Sequence, residues 1–184
     1  MQVKFLTIIT SILAASSVQA TVPVVNAGDY TAIVTSLNNI ATNTNSLTTT
    51  VNKLKTSNVL TTGFTVLGDL TKLVLSLGSG TTSLSNTPAP VSVQSIANSQ
   101  LVCTAVKTVT DALAGLLTAL NNKLSTLAGS LLAVPLSIVV GLLEKAIDAL
   151  QTQLTISTPA CSSSTDSGFD VLQTLLDTLT LTKP

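Results

Sequence analysis

The chain has 184 residues, enough for one domain with a sizeable core but hardly for two. Its eight basic residues, all lysine, balance eight acidic ones, so the net charge offers no attraction to nucleic acid or to anionic lipid headgroups. Three Phe, one Tyr and no Trp give no stacking platform for bases or sugars, and the absence of His removes the commonest general base and metal ligand.

Residues 1–20 have the three parts of a secretory signal peptide. Lys4 gives the positive start, residues 5–15 are apolar, and Val18-Gln19-Ala20 is a small-residue cleavage site. We therefore expect a secreted protein whose mature chain, residues 21–184, forms a single domain.

Apolar residues at alternating spacings of three and four predict the first two helices. The first covers about residues 30–56, and its apolar positions are Ile33, Leu37, Ile40, Leu47, Val51 and Leu54, with Thr44 filling one gap. The apolar positions of the second are Leu60, Leu67, Leu70, Val74 and Leu77. Gly78-Ser79-Gly80 is expected to end the second helix, and residues 81–92, which contain two prolines, are expected to form a loop.

The same spacing predicts three more helices. The third covers about residues 92–127, through Ile96, Cys103, Val106, Leu113, Leu117, Leu120, Leu124 and Leu127, with Ser99 and Thr110 at the vacant positions. Ala128-Gly129-Ser130 should break it, and the fourth begins with Pro135 in its first turn and continues through Leu136, Val139, Leu143, Ile147, Leu150 and Leu154. Residues 167–170 resemble a capping box ahead of Leu172, Leu175, Leu176 and Leu179. The sequence thus predicts an all-α, single-domain bundle of about five amphipathic helices.

Two cysteines, Cys103 and Cys161, remain after the signal segment. An even number in an oxidising compartment favours one disulfide, while two free buried thiols or an intermolecular bridge are the alternatives. If the third and fourth helices pack as an antiparallel pair, their lengths bring the two thiols to the same level. A bridge would then stabilise the fold by about 4 kcal/mol in the chain-entropy model.

Residues 124–143 carry no charge over the length of a membrane span, and three interpretations are open. Ser, Thr, Gly and Pro residues dilute the stretch, and it has no aromatic anchor, so we expect no transmembrane span. A core helix surrounded by neighbours is the second interpretation. The third starts from apolar residues on both sides of the helix, Val140 on one and Ile138 and Leu142 on the other. It places the helix beside an apolar space that suits an acyl chain, each methylene contributing about 0.8 kcal/mol on burial.

The segments AIVTSLNNIATNTNSLTTTVNKL and SIVVGLLEKAIDALQTQL, with the abundance of Ser, Thr and aliphatic residues, carry a family resemblance. The chain resembles the fungal hydrophobic surface binding protein A family, which includes related cell-wall mannoproteins. The resemblance implies an all-α bundle, extracellular or associated with the cell wall, that adsorbs to apolar surfaces or encloses fatty acids between its helices. The chain lacks the long apolar tail of a lipid-anchor signal, so we expect a free protein.

We therefore predict a secreted, non-catalytic protein that binds hydrophobic surfaces or lipid acyl chains such as fatty acids. The alternative is a structural cell-wall or self-associating protein whose apolar faces form only its own core. The groove or tunnel is predicted between the second, third and fourth helices. Its apolar lining is predicted to be Leu70, Val74, Leu113, Leu117, Leu136, Val139, Val140, Leu143 and Ile147.

No residue pattern in the sequence indicates a reaction. Lys107 and Lys123 have Ser and Thr nearby, but these residues are so abundant that proximity carries no information, and exposed helix-face lysines explain the pattern better. Asp69 with Lys72 and Glu144 with Asp148 have the spacing of neighbours on a polar helix face. We predict no enzyme, no cofactor and no metal, and the sequence identifies no partner enzyme such as a secreted hydrolase.

Overall fold

The computed structural model describes residues 30–85, 96–158 and 161–180, and all of its regular elements are helices. The predicted signal segment, residues 86–92 of the predicted proline loop and the start of the predicted third helix before residue 96 lie outside these residues. The all-α prediction is confirmed, and the described ranges contain no strand. The helices are α1 (Tyr30–Asn52), α2 (Val59–Ser85), α3 (Ile96–Asn122), the short α4 (Leu124–Ala128), α5 (Ala133–Ser157) and α6 (Ser162–Thr180), with a 3₁₀ turn at Thr56–Asn58 before α2.

Threonine is abundant in these helices although it is a mediocre helix former. Many threonine hydroxyls donate a hydrogen bond to the carbonyl oxygen four residues earlier, which satisfies the hydroxyl within its own helix. The fully buried Thr44 donates in this way to Ile40 at 2.8 Å, and Thr165 donates to Cys161 at 3.0 Å. No buried side-chain nitrogen or oxygen of the described residues lacks a partner, so these helices bury threonine without leaving a hydroxyl unsatisfied.

The apolar face of α1 lies where the sequence places it. Its predicted apolar positions are all buried, and Thr44 lies among them. This face packs against α2 and α3, so tertiary contacts supply the stability that a helix rich in Thr and Asn lacks on its own.

The five long helices form a closed ring. Each packs against two neighbours, in the order α1, α2, α5, α6, α3 and back to α1. A hydrogen bond from Lys123 Nζ to the Leu54 carbonyl places the ends of α1 and α3 together, and one from Ser157 Oγ to Leu84 places the ends of α2 and α5 together. Helices α1, α3 and α6 therefore run in one direction, and α2 and α5 run in the other.

Several predicted helix boundaries are wrong. Helix α2 continues to Ser85, so Gly78-Ser79-Gly80 lies inside it, and residues 81–85 are helical rather than part of a loop. Helix α6 already begins at Ser162, so residues 167–170 lie in its interior and do not cap it. The predicted third helix is interrupted at Lys123, after which α4 forms a separate turn of helix.

Glycine at position 80 serves close packing rather than helix termination. A Cβ atom at Gly80 would approach Ile40 Cδ1 to 2.9 Å, so the absence of a side chain allows α1 and α2 to come together there. Gly63 has the same role beside α5, because a Cβ atom there would overlap Leu132 Cδ1.

The predicted disulfide between Cys103 and Cys161 is present, with the two Cα atoms 5.2 Å apart. The helix pairing proposed for it is wrong, because α3 does not pack directly along α5. Instead Cys161 immediately precedes α6, which runs parallel to α3, and Gly168 of α6 lies against Thr110 of α3. The bridge therefore fixes the start of α6 to the beginning of α3, at the end of the bundle opposite Lys123.

Candidate functional site: the interior of the helix ring

The centre of the ring is the candidate site, because five helices in a ring leave more room between them than four. A regular five-membered ring has a diagonal about 1.6 times its side, so neighbouring axes about 9 Å apart place opposite axes about 15 Å apart. A helix with its side chains has a radius of about 5.5 Å, so two opposite helices fill about 11 Å of this distance. About 4 Å is then left at the centre. That width is the thickness of one hydrocarbon chain, and larger side chains or a bound molecule must fill it.

The separation of α3 and α5 agrees with this geometry. These helices lie across the ring from each other, and they are not among the pairs of described helices whose backbones approach closely along their length. Helix α6 bridges them on one side, and α1 with α2 closes the other side.

The predicted lining residues lie on three helices of this ring, α2, α3 and α5. All of them are buried except Val74, which is half-buried and packs against the same cluster. On α5 they extend from Leu136 to Ile147, a rise of about 17 Å along the helix axis. The structure therefore brings the predicted residues into one aliphatic cluster, and whether they contact a ligand stays a prediction.

The inner face of α5 is covered least near the beginning of the helix. Leu136, Val139 and Val140 each retain 6 to 7% of their surface, whereas Leu143 is fully enclosed. The small residual exposure lies toward the end of the bundle where α5 begins, and the disulfide lies at the opposite end.

Helix α3 has a wider buried surface than its apolar spacing predicts. Besides the predicted positions it buries Val102, Val109 and Leu116, and also three alanines at intervals of seven, Ala105, Ala112 and Ala119. Alanine contributes little to an apolar pattern, yet its small side chain lets helix backbones approach each other. The interval of seven residues between these alanines is the sequence signal that could have identified them. Seven residues make about two turns of a helix, so the three alanines lie on one face.

Residues 124–143 do not form one helix. Helix α4 ends at Ala128 and α5 begins at Ala133, and between them Ser130 Oγ donates to the Leu127 carbonyl and accepts from the Leu132 amide. The membrane-span interpretation of this stretch therefore lacks the continuous helix that it requires. The two sides of α5 differ in burial: Val140 is buried, whereas Ile138 is exposed and Leu142 is half-buried, so neighbours do not surround the helix on all sides.

Two other segments, Thr56–Ser85 and Gln100–Asn122, are long and apolar enough to cross a membrane by length and composition alone. Half of the apolar window in the second segment is buried inside the bundle, and a core helix meets the same criterion. The expected absence of a transmembrane span stays a prediction.

The charged side chains of the described residues are exposed or half-buried and lie outside the apolar interior. Among the described residues the ion pairs are Lys72 with Asp69 and Lys107 with Asp111, both within one helix, and all of these side chains are exposed except that of Asp69, which is half-buried. The described ranges contain no cluster of three or more His, Cys, Asp or Glu residues that could hold a metal ion. The described interior can therefore bury apolar groups.

The fold is similar to that of Afmp4p, whose crystal structure was determined in complex with palmitic acid. The TM-score is 0.72 and the sequence identity is 20%, and the match covers 82% of this chain and 97% of Afmp4p. No protein-family model and no curated protein matches the chain. The structural likeness therefore establishes a shared helical fold, and the resemblance to the hydrophobic surface binding protein A family stays a prediction.

Proposed function

We propose that this protein is a secreted, non-catalytic carrier that encloses the acyl chain of a fatty acid inside its ring of helices. The aliphatic interior would bind the chain by apolar burial, at about 0.8 kcal/mol for each methylene. Long saturated and unsaturated chains suit such an interior, because it selects for length and apolar contact rather than for directed hydrogen bonds.

One observation carries the proposal. The interior of a five-membered helix ring is lined by uncharged aliphatic side chains on α2, α3 and α5, in a fold shared with a protein crystallised with palmitic acid. The alternative, a structural or self-associating protein, requires that these side chains fill the interior completely.

Palmitate uptake by two tryptophan variants tests the proposal. Val140→Trp places a large side chain on the inner face of α5, while Ile138→Trp places the same side chain on the exposed face of the same helix. We expect Val140→Trp to lose at least about tenfold in palmitate affinity, since the indole would occupy the space of several methylenes. Ile138→Trp should bind as the unmodified protein does.

Thermal unfolding of the same variants separates an open interior from a filled one. In an interior with space, Val140→Trp should unfold cooperatively with little loss of stability. In a filled core it should lose about 1 to 3 kcal/mol through overpacking. Such a loss, together with no palmitate uptake by the unmodified protein, would contradict the proposal.

A further inference from the structure

Exposed large apolar side chains concentrate at one end of the bundle. Leu131 and Val134 expose 87% and 70% of their surface. Ile138, Leu60 and Phe64 expose between 39% and 49%. We call these five residues the apolar patch.

The members of the patch belong to neighbouring helices. Leu60 and Phe64 lie in the first turns of α2, and the others lie just before and within the first turns of α5. The close approach of Leu132 to Gly63 places the segment that begins α5 beside the start of α2. Large apolar groups exposed together at such a point mark a surface that binds something apolar.

The same end carries lysines that have no acidic partner among the described residues. Lys53 and Lys55 are exposed in the turn between α1 and α2. Lys123 follows α3 and is held near that turn by its 3.0 Å hydrogen bond to the Leu54 carbonyl. We call the end defined by these three residues the lysine end.

Acidic residues are placed differently. In the described part of the chain, the only acidic residue within two turns of this end is Asp177, on α6, which does not neighbour α2 in the ring. The balanced total charge therefore conceals a local excess of positive charge around the apolar patch. This combination is complementary to an anionic lipid surface, where headgroups attract lysines and acyl chains accept apolar side chains.

We infer that the lysine end docks on the surface of an anionic phospholipid bilayer, with the apolar patch inserted among the acyl chains. Leu136, Val139 and Val140, the least covered residues of the inner face, lie in the first turns of α5 at this same end. Docking would therefore present the proposed interior directly to the lipids from which a fatty acid is drawn. This route of loading rests on the proposed function, whereas docking itself does not.

Co-sedimentation of the secreted protein with lipid vesicles tests the inference. One set of vesicles is pure phosphatidylcholine, and the other contains equal parts of phosphatidylcholine and phosphatidylserine. We expect strong binding to the second set, weak binding to the first, and loss of the difference at high salt.

Two double variants, each with its own control, locate the surface. Leu131→Ser with Val134→Ser should lower vesicle binding at least about tenfold, whereas Leu101→Ser with Val171→Ser, exposed apolar residues elsewhere, should leave it unchanged. Lys53→Gln with Lys55→Gln should weaken binding to the anionic vesicles by about fivefold for each lysine, because each contributes about 1 kcal/mol near such a surface. Lys145→Gln, on the exposed middle of α5, is its control.

Several outcomes would overturn the inference. Equal binding to both vesicle types would show that lysine plays no part, and an unchanged affinity of the patch variant would place the contact elsewhere. A dimer that the patch variant dissociates would assign the surface to a second copy of the chain.

Palmitate uptake in vesicle-free solution, measured on the same variants, keeps the two proposals distinct. Uptake without vesicle binding refutes docking alone, and vesicle binding without uptake refutes the carrier function alone.

Discussion

Replacing Gly168 by alanine tests the close packing of α6 on α3. A Cβ atom at this position would approach Thr110 Oγ1 to 2.9 Å and both Thr110 Cβ and Cγ2 to 3.0 Å. Because Thr110 Cβ is attached directly to the backbone of α3, it can move away only if the helix moves. The substitution therefore forces the two helices apart or distorts Thr110, at a cost of about 1 to 3 kcal/mol.

Gly115 on α3 is the matched control, because no atom lies within 4 Å of the Cβ that an alanine would add there. Gly115→Ala should raise the free energy of unfolding by about 1 kcal/mol, the usual gain when alanine replaces glycine inside a helix. The same gain accompanies Gly168→Ala, so its net effect should be a loss of up to about 2 kcal/mol.

Urea unfolding followed by far-UV circular dichroism measures both variants. The difference in free energy of unfolding between the two variants isolates the overpacking cost. In thermal unfolding this difference should appear as a difference in Tm of about 2 to 4 °C for each kcal/mol. If both substitutions stabilised the protein equally, the close contact between α3 and α6 would be refuted.

Two further predictions concern stability. Cys103→Ser combined with Cys161→Ser should lower the free energy of unfolding by about 4 kcal/mol, because the bridge closes a loop over a sequence separation of 58 residues. A loss below about 1 kcal/mol in urea unfolding would contradict this loop-entropy account. Leu143→Ala should cost about 2 to 5 kcal/mol because Leu143 is fully buried, whereas Leu131→Ala should change stability by less than about 0.5 kcal/mol. If thermal unfolding showed similar losses of stability for both leucine variants, the placement of Leu143 in the core and of Leu131 on the surface would be refuted.

The sequence predicts α1 closely and α2 less well, and glycine explains the difference. Every apolar position predicted in α1 is a large aliphatic residue that faces its neighbours. In α2 the buried face includes Gly63 and Gly80, which an apolar pattern does not count, while Leu60 counts toward the pattern but is exposed. Close helix approach depends on which two helices meet, and that information is absent from the spacing of residues in one helix.

The pairing of the two cysteines was predicted correctly, but the helix packing predicted around the disulfide was wrong. Two cysteines in one chain have only one intramolecular pairing, so the prediction did not depend on the fold. The order of helices around the ring does depend on the fold, and α6 occupies the place beside α3 that was predicted for α5. All the helices have similar apolar faces, so periodicity alone does not determine the order of the helices around the ring.

The apolar lining was predictable as a set of residues, but the division of α5 into inner and outer faces was not. Val140 and Ile138 are both aliphatic and only two residues apart, yet one is buried and the other exposed. Part of the apolar surface of this segment lies on the outside of the bundle, at the lysine end. The balanced total charge of the chain gives no sign of this surface.

Native mass spectrometry of protein secreted from a eukaryotic host tests the carrier function most directly. We expect fatty acid to co-purify, or to be taken up from added palmitate, at a near-integer ratio to protein, and to be released by solvent extraction. A protein that keeps its ligand-free mass in the presence of added palmitate would contradict the account.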